Sequence, residues 1–186
     1  MPKIVDHDAY RAELLERAFT FFAAHGVAAV TMRGLAREIG VSTGTLYHYF
    51  ADKDAIFEQM VEHVAARSVE DALGGIPEGA TPAESVETIV GFVEAAEPRL
   101  RSFMLLALDQ RRHPGTTGNH DVITRAMASF EAAIRAQVAD EGGLVASLVL
   151  SAMLGLIARR VLVPESVEYS DHVAVLRRLF VERGES

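Results

Sequence analysis

Between Thr31 and Phe50 the chain reads TMRGLAREIGVSTGTLYHYF, and no other stretch restricts the fold as much. Apolar residues fall at helical spacing on both sides of Gly40-Val41-Ser42, so the stretch predicts two short helices joined by a tight turn. Thr31 suits an N-cap, with Leu35, Ala36 and Ile39 facing inward along the first of the two helices. Gly40 ends that helix, because glycine enters a positive-φ conformation without steric cost. Val41 plugs the turn and Ser42 caps the next helix. There Leu46 and Phe50, four residues apart, anchor it to a core. Thr43, Thr45, Tyr47, His48 and Tyr49 remain mostly outside. A supporting helix, a tight turn and a presented helix make a helix-turn-helix.

Helical periodicity also dominates the rest of the chain, and no period-2 strand pattern stands out. A first helix is expected from about Ala9 to Ala24, capped by Asp8 and stopped by Gly26 in a left-handed conformation. A fourth starts near Asp52, buries Ile56, Phe57, Met60, Val61 and Val64, and fades before Gly74-Gly75. GGIPEGATP (74–82) is the clearest linker. It closes on a capping box, Thr81-Pro82-Ala83-Glu84, with proline at the first helical position. Further helices are expected over 82–96, 98–111, 120–140, 142–162 and 168–183. The fold class is all-α, with about nine helices. Residues 1–54 form the helix-turn-helix domain, 55–186 form a larger helical body, and helix four (52–73) connects them.

Several chemistries drop out. The chain has no cysteine, which removes disulfides, thiolate metal sites and cysteine nucleophiles. None of the seven histidines has a glutamate three residues before it, so the paired di-iron pattern is absent. His-Glu-x-x-His, Gly-x-Ser-x-Gly, a Walker phosphate loop and a dinucleotide fingerprint are absent too. No metal, cofactor or enzymatic activity is expected. The N-terminus lacks a signal-like apolar core, and LVASLVLSAMLGLIA (144–158) reads as a buried helix rather than a membrane span. The expectation is a cytoplasmic protein.

The net charge of −8 argues against a nucleic-acid partner until its distribution is considered. Residues 1–53 hold six Lys/Arg and six Asp/Glu, whereas the remainder holds twelve and twenty. A neutral N-terminal unit can still engage phosphate if its cations converge. Ser42, Thr43, Gly44 and Thr45 offer short hydrogen-bonding groups, backbone N–H donors and room for close approach. Thr45, Tyr47 and His48 are the candidates for groove contact; Thr31, Thr43, Tyr49 and Lys53 for phosphate, with Arg33 and Arg37 able to do the same. Spacing alone leaves the plainer alternative open, since a helix-turn-helix is a scaffold before it is a function and Tyr47 or Tyr49 could simply pack.

The run TMRGLAREIGVSTGTLYHYFADKDAIF resembles the DNA-binding domain of the TetR family of transcriptional regulators. The matching features are the threonine before the supporting helix, L-A-x-x-x-G-V-S, G-T-L-Y, the pair Tyr49-Phe50, and Lys53, within roughly residues 9–60. Where the family often has histidine this chain has Tyr49, which keeps a phosphate donor. The resemblance implies a divergent C-terminal domain that binds a small-molecule effector and dimerises through its last two helices. Phe92, Phe103, Met104, Leu108, Met127, Phe130 and Met153 are then the candidate lining of an apolar effector site, although each alone reads as ordinary core. Helix 142–162, with small residues at Ala146, Ser147, Ser151, Ala152 and Gly155, and amphipathic helix 168–183 are the candidate homodimer contact. The function so implied is a ligand-responsive regulator, a repressor released from a near-palindromic double-stranded DNA operator by a small apolar effector. A helical adaptor or effector-binding protein without specific DNA binding, and an all-α enzyme, are the alternatives.

Overall fold

A computed structural model of the chain describes residues 6–112, 120–138, 143–163, 171, 172 and 175. Among these residues all regular structure is helical: α1 (His7–His25), α2 (Met32–Glu38), α3 (Thr43–Tyr49), α4 (Lys53–Gly74), α5 (Pro82–Ala95), α6 (Glu97–Arg112), α7 (His120–Val138) and α8 (Leu144–Leu162). The all-α expectation is borne out. The expected ninth helix, 168–183, falls almost wholly outside the described residues; of it, residues 171, 172 and 175 are helical.

The described residues fall into two compact units, Met1–Ala66 with Phe103–Ala126 and Arg67–Ser102 with Met127–Ser186. The first holds α1, α2, α3, the larger part of α4 and portions of α6 and α7. Its core takes Leu14, Ala18 and Phe22 from α1, Leu35 and Ala36 from α2, and Leu46 from α3. Phe50, Ile56, Phe57 and Met60 complete it. The rings of Phe22 and Phe57 lie 5.7 Å apart and tilted by 58°, which locks α1 against α4. Burying each of the larger of these side chains contributes on the order of 1.5–3 kcal/mol. That supply matters because α2 and α3, at seven residues each, are too short to be stable alone.

In the second unit, α5 starts on the expected capping box: the Thr81 side chain accepts from the Glu84 N–H while the Glu84 carboxylate accepts from Thr81, with Pro82 in the first turn. Val86, Ile89, Val90 and Val93 form its inner stripe. On α8, Ala146, Val149, Met153, Leu156 and Ile157 are buried, but Leu144, Leu148 and Leu162 are 75%, 57% and 80% exposed. By length and composition α8 is able to cross a membrane. The expectation of a buried helix is thus met on one side only.

Two local details depart from expectation. The cap of α1 is Asp6, not Asp8: its carboxylate accepts from the N–H groups of Asp8 and Ala9, each at 3.1 Å. Asp8 instead sits in the first turn, where its charge favours the helix dipole. Gly26 does end α1 with a positive φ of 77°, but its ψ of 160° lies outside the left-handed helical region.

Candidate nucleic-acid interface

The local signals of the helix-turn-helix have become local contacts. Thr31 Oγ1 accepts from the Gly34 N–H at 3.1 Å, and Ser42 Oγ from the Thr45 N–H at 2.9 Å, so each short helix has its side-chain cap. Ser42 Oγ and Thr45 Oγ1 also share a hydrogen bond of 2.8 Å. Gly40 carries φ 74° in the turn. A Cβ there would meet nothing within 4 Å, so the glycine is required by its backbone angle and not by crowding. The Val41 N–H donates to the Ala36 carbonyl at 3.0 Å and closes the turn.

Leu46 and Phe50 are buried and fix which way α3 faces. Gly44, Tyr47 and His48 are exposed, with Thr43, Thr45 and Tyr49 half-buried beside them. Tyr47 is 55% exposed, so its ring is presented to solvent rather than packed. The packing alternative therefore does not apply to Tyr47, though it does in part to Tyr49. Arg33 and Arg37, on α2, are exposed as well. At Gly44 an added Cβ would come no nearer than 3.6 Å to the Ser42 side chain, so among the described residues nothing forbids a Cβ at that position.

Residues outside the motif hold it in place, and sequence reasoning missed them. Two arginines of α1 reach the C-terminal ends of the two short helices. Arg11 Nη2 donates to the Tyr49 carbonyl at 2.8 Å, with its guanidinium 5.3 Å from the centre of the Phe50 ring. Arg17 Nη1 donates to the Ile39 carbonyl at 2.9 Å. A cation at a helix C-terminus satisfies an orphan carbonyl and complements the dipole. Tyr49 is gathered toward α1 as well: its hydroxyl lies 3.0 Å from His7 Nδ1, and its ring meets Tyr10 edge-on at 5.6 Å. The only signal in the sequence was that 7, 10, 11 and 17 recur at helical spacing as polar or aromatic residues on one helix.

Lys53, expected at phosphate, donates from Nζ to the Val27 carbonyl at 3.1 Å, leaving other ammonium protons unassigned. The Val27 N–H donates to Asp109 Oδ2 of α6 at 2.8 Å, so the turn between α1 and α2 is held from α4 and α6. Arg125 of α7 donates to Glu58 and Glu62 of α4 at 2.7 and 2.8 Å. Hydrogen bonds to Glu62 and then Glu58 raise its proton affinity above the ordinary arginine value. All three side chains are substantially exposed, so the pair is screened by salt.

The candidate effector residues are not drawn together by the described structure in one unit. Phe103, Met104 and Leu108 belong to the first, and Phe92, Met127, Phe130 and Met153 to the second. Phe103 and Met153 are buried, Leu108 is exposed, and the other four are half-buried. Among the described residues no group of three or more histidine, aspartate or glutamate side chains is arranged to hold a metal ion.

Residues 14–60 match the family of bacterial regulatory proteins, tetR family. The HTH-type transcriptional regulator BetI of Rhizobium meliloti is 30% identical over 90 residues, covering 48% of this chain and 44% of that protein. The HTH-type transcriptional repressor Rv1474c of Mycobacterium tuberculosis is 38% identical over 82 residues, covering 41% of this chain and 44% of that one. The matches thus span less than half the length of these relatives. In fold the likeness runs further: a candidate transcriptional regulator solved from Pseudomonas aeruginosa PAO1 superposes with a TM-score of 0.73, at 20% identity, over 98% of this chain and 93% of that one. Over residues 14–60, then, the chain is similar to the tetR family of bacterial regulatory proteins.

Proposed function

We propose that the protein is a DNA-binding transcriptional regulator that reads its operator with α3 and loses affinity for it when a small apolar effector binds the helical body. The observation that carries this is the outward face of α3, where Gly44, Tyr47 and His48 stand exposed on a helix anchored by Leu46 and Phe50. Thr45, Tyr47 and His48 contact base edges in the major groove. Thr31, Arg33, Ser42, Thr43, Tyr49 and Lys53 engage the flanking phosphates, with backbone approach at Gly44.

Two copies act together in the cytoplasm. The exposed side of α8, with Leu144, Leu148 and Leu162 beside Ser151 and Gly155, supports a homodimer contact shared with the stretch 168–183. Recognition helices spaced by one turn of the double helix, about 34–36 Å, then call for a near-palindromic operator. The repressor named among the relatives supports release, not recruitment, as the mode of control. An effector shifts the equilibrium only by its differential affinity for the two states, tenfold in operator affinity for each roughly 1.4 kcal/mol.

Selection of bound duplexes from a random-sequence library tests this reading. Recovery of an inverted repeat supports it. Failure to enrich any sequence over successive rounds refutes specific recognition.

A further inference from the structure

His7 lies outside the residues expected to touch DNA, yet its Nδ1 is 3.0 Å from the hydroxyl of Tyr49. The two side chains come from the first turn of α1 and the last turn of α3, 42 positions apart, so the pairing is tertiary. His48 closes the group, its ring 6.4 Å from that of His7 and 5.1 Å from that of Tyr49. His7 and His48 are exposed and Tyr49 is half-buried.

The direction of the His7–Tyr49 bond determines what Tyr49 can offer. When Nδ1 carries no proton, the Tyr49 hydroxyl donates to it, and its only proton is committed to the ring. The oxygen then presents lone pairs, which a phosphate oxygen repels. When Nδ1 is protonated it donates to the Tyr49 oxygen, and the hydroxyl proton is released to donate outward. A doubly protonated imidazolium enforces this second arrangement. We propose that His7 is a positioning residue for a Tyr49–phosphate contact, and that it couples DNA binding to uptake of a proton. This rests on the DNA-binding function proposed above.

The surroundings fit that role. From its own helix, Asp6 and Asp8 lie beside His7 in sequence, with the Asp6 carboxylate occupied in capping α1, and Tyr10 and Arg11 follow one turn on. From α3 come Tyr49 and His48, and the Arg11 guanidinium is spent on the Tyr49 carbonyl. Binding one proton tightens DNA binding by up to about tenfold for each unit the pH falls.

The test measures the affinity of the full-length protein between pH 8 and pH 6 at constant ionic strength. The probes are a library-selected duplex and an unselected duplex, because a phosphate contact acts on both. Wild-type affinity should rise at least about threefold on both duplexes as the pH falls, within that linkage limit. His7→Gln should flatten this rise, while His48→Gln retains the His7 part of it. Tyr49→Phe should abolish the His7 contribution, so that adding His7→Gln to Tyr49→Phe changes the affinity no further; a direct His7–phosphate contact would survive in Tyr49→Phe. The proposal is overturned by affinity that does not vary with pH in the wild type, by a rise that persists in His7→Gln, or by one that disappears only in His48→Gln. Binding to neither duplex at any pH would remove the DNA-binding function itself, and this proposal with it; binding without pH dependence removes this proposal alone.

Discussion

Tyr47 presents a large ring to water, whereas Tyr49 on the same helix is half-buried and Phe50, just past its end, is buried. Folding gains little from a ring so placed, and removing it should cost the fold little. Tyr47→Ala is therefore expected to leave the melting temperature almost unchanged while weakening operator binding by about 1–3 kcal/mol. Anisotropy titrations beside a thermal melt check both halves, and an unchanged affinity would take Tyr47 out of the contact. Lys53 is the opposite case, because its ammonium holds the Val27 carbonyl. Lys53→Ala should cost about 1 kcal/mol of stability through that lost bond. It should also weaken binding to all sequences alike, lowering the salt slope by about one unit. A loss confined to one operator sequence would contradict the phosphate role. The two residues stand close together in sequence, and the contact to Val27 gives Lys53 a part in the fold that Tyr47 lacks.

Among the helices, what was legible in advance was what is local. Thr31, Ser42 and Thr81 cap the helices that follow them, and Asp52 Oδ1 accepts from the Ala55 N–H at 2.7 Å. In each case the partner lies three residues away, so spacing identifies it. Asp8 was misread because a better-placed carboxylate, Asp6, stood two residues earlier and either fits a capping pattern. Arg11 and Arg17 gave no such signal: their partners are backbone carbonyls 38 and 22 positions away, and nothing in the sequence of a carbonyl marks it as an acceptor. These two arginines hold the ends of α2 and α3 against α1, and so set the angle at which α3 is presented. Arg11→Met keeps the stem but leaves the Tyr49 carbonyl without its donor. It should cost about 1 kcal/mol of stability and weaken DNA binding as well, since the C-terminal turn of α3 is released. Chemical denaturation measures the first; an unchanged affinity in the same variant would show that α3 keeps its position unaided.

At the scale of the whole molecule, the family match stops at residue 60, and so did most of what the sequence could say about function. Beyond it, periodicity located α5 to α8 closely, but which of their apolar residues fill a core and which face outward depends on packing among helices distant in sequence. Leu108 and Leu148 illustrate this: both fit an inner stripe by composition, and both are exposed. If the open side of α8 is the dimer contact, Leu148→Glu should turn a dimer into a monomer in sedimentation velocity and abolish tight operator binding, because one recognition helix is then lost from each complex. A variant that remains dimeric would place the contact elsewhere. The claim on which the rest depends is that α3 reads DNA. The most direct measurement is fluorescence anisotropy of the wild type and Tyr47→Ala on a library-selected duplex and a scrambled one of equal length, at two salt concentrations. If α3 reads DNA, the wild type binds the selected duplex tightly and with salt sensitivity, binds the scrambled one more weakly, and loses part of that selectivity in Tyr47→Ala. Equal affinity for the two duplexes at both salt concentrations would contradict it.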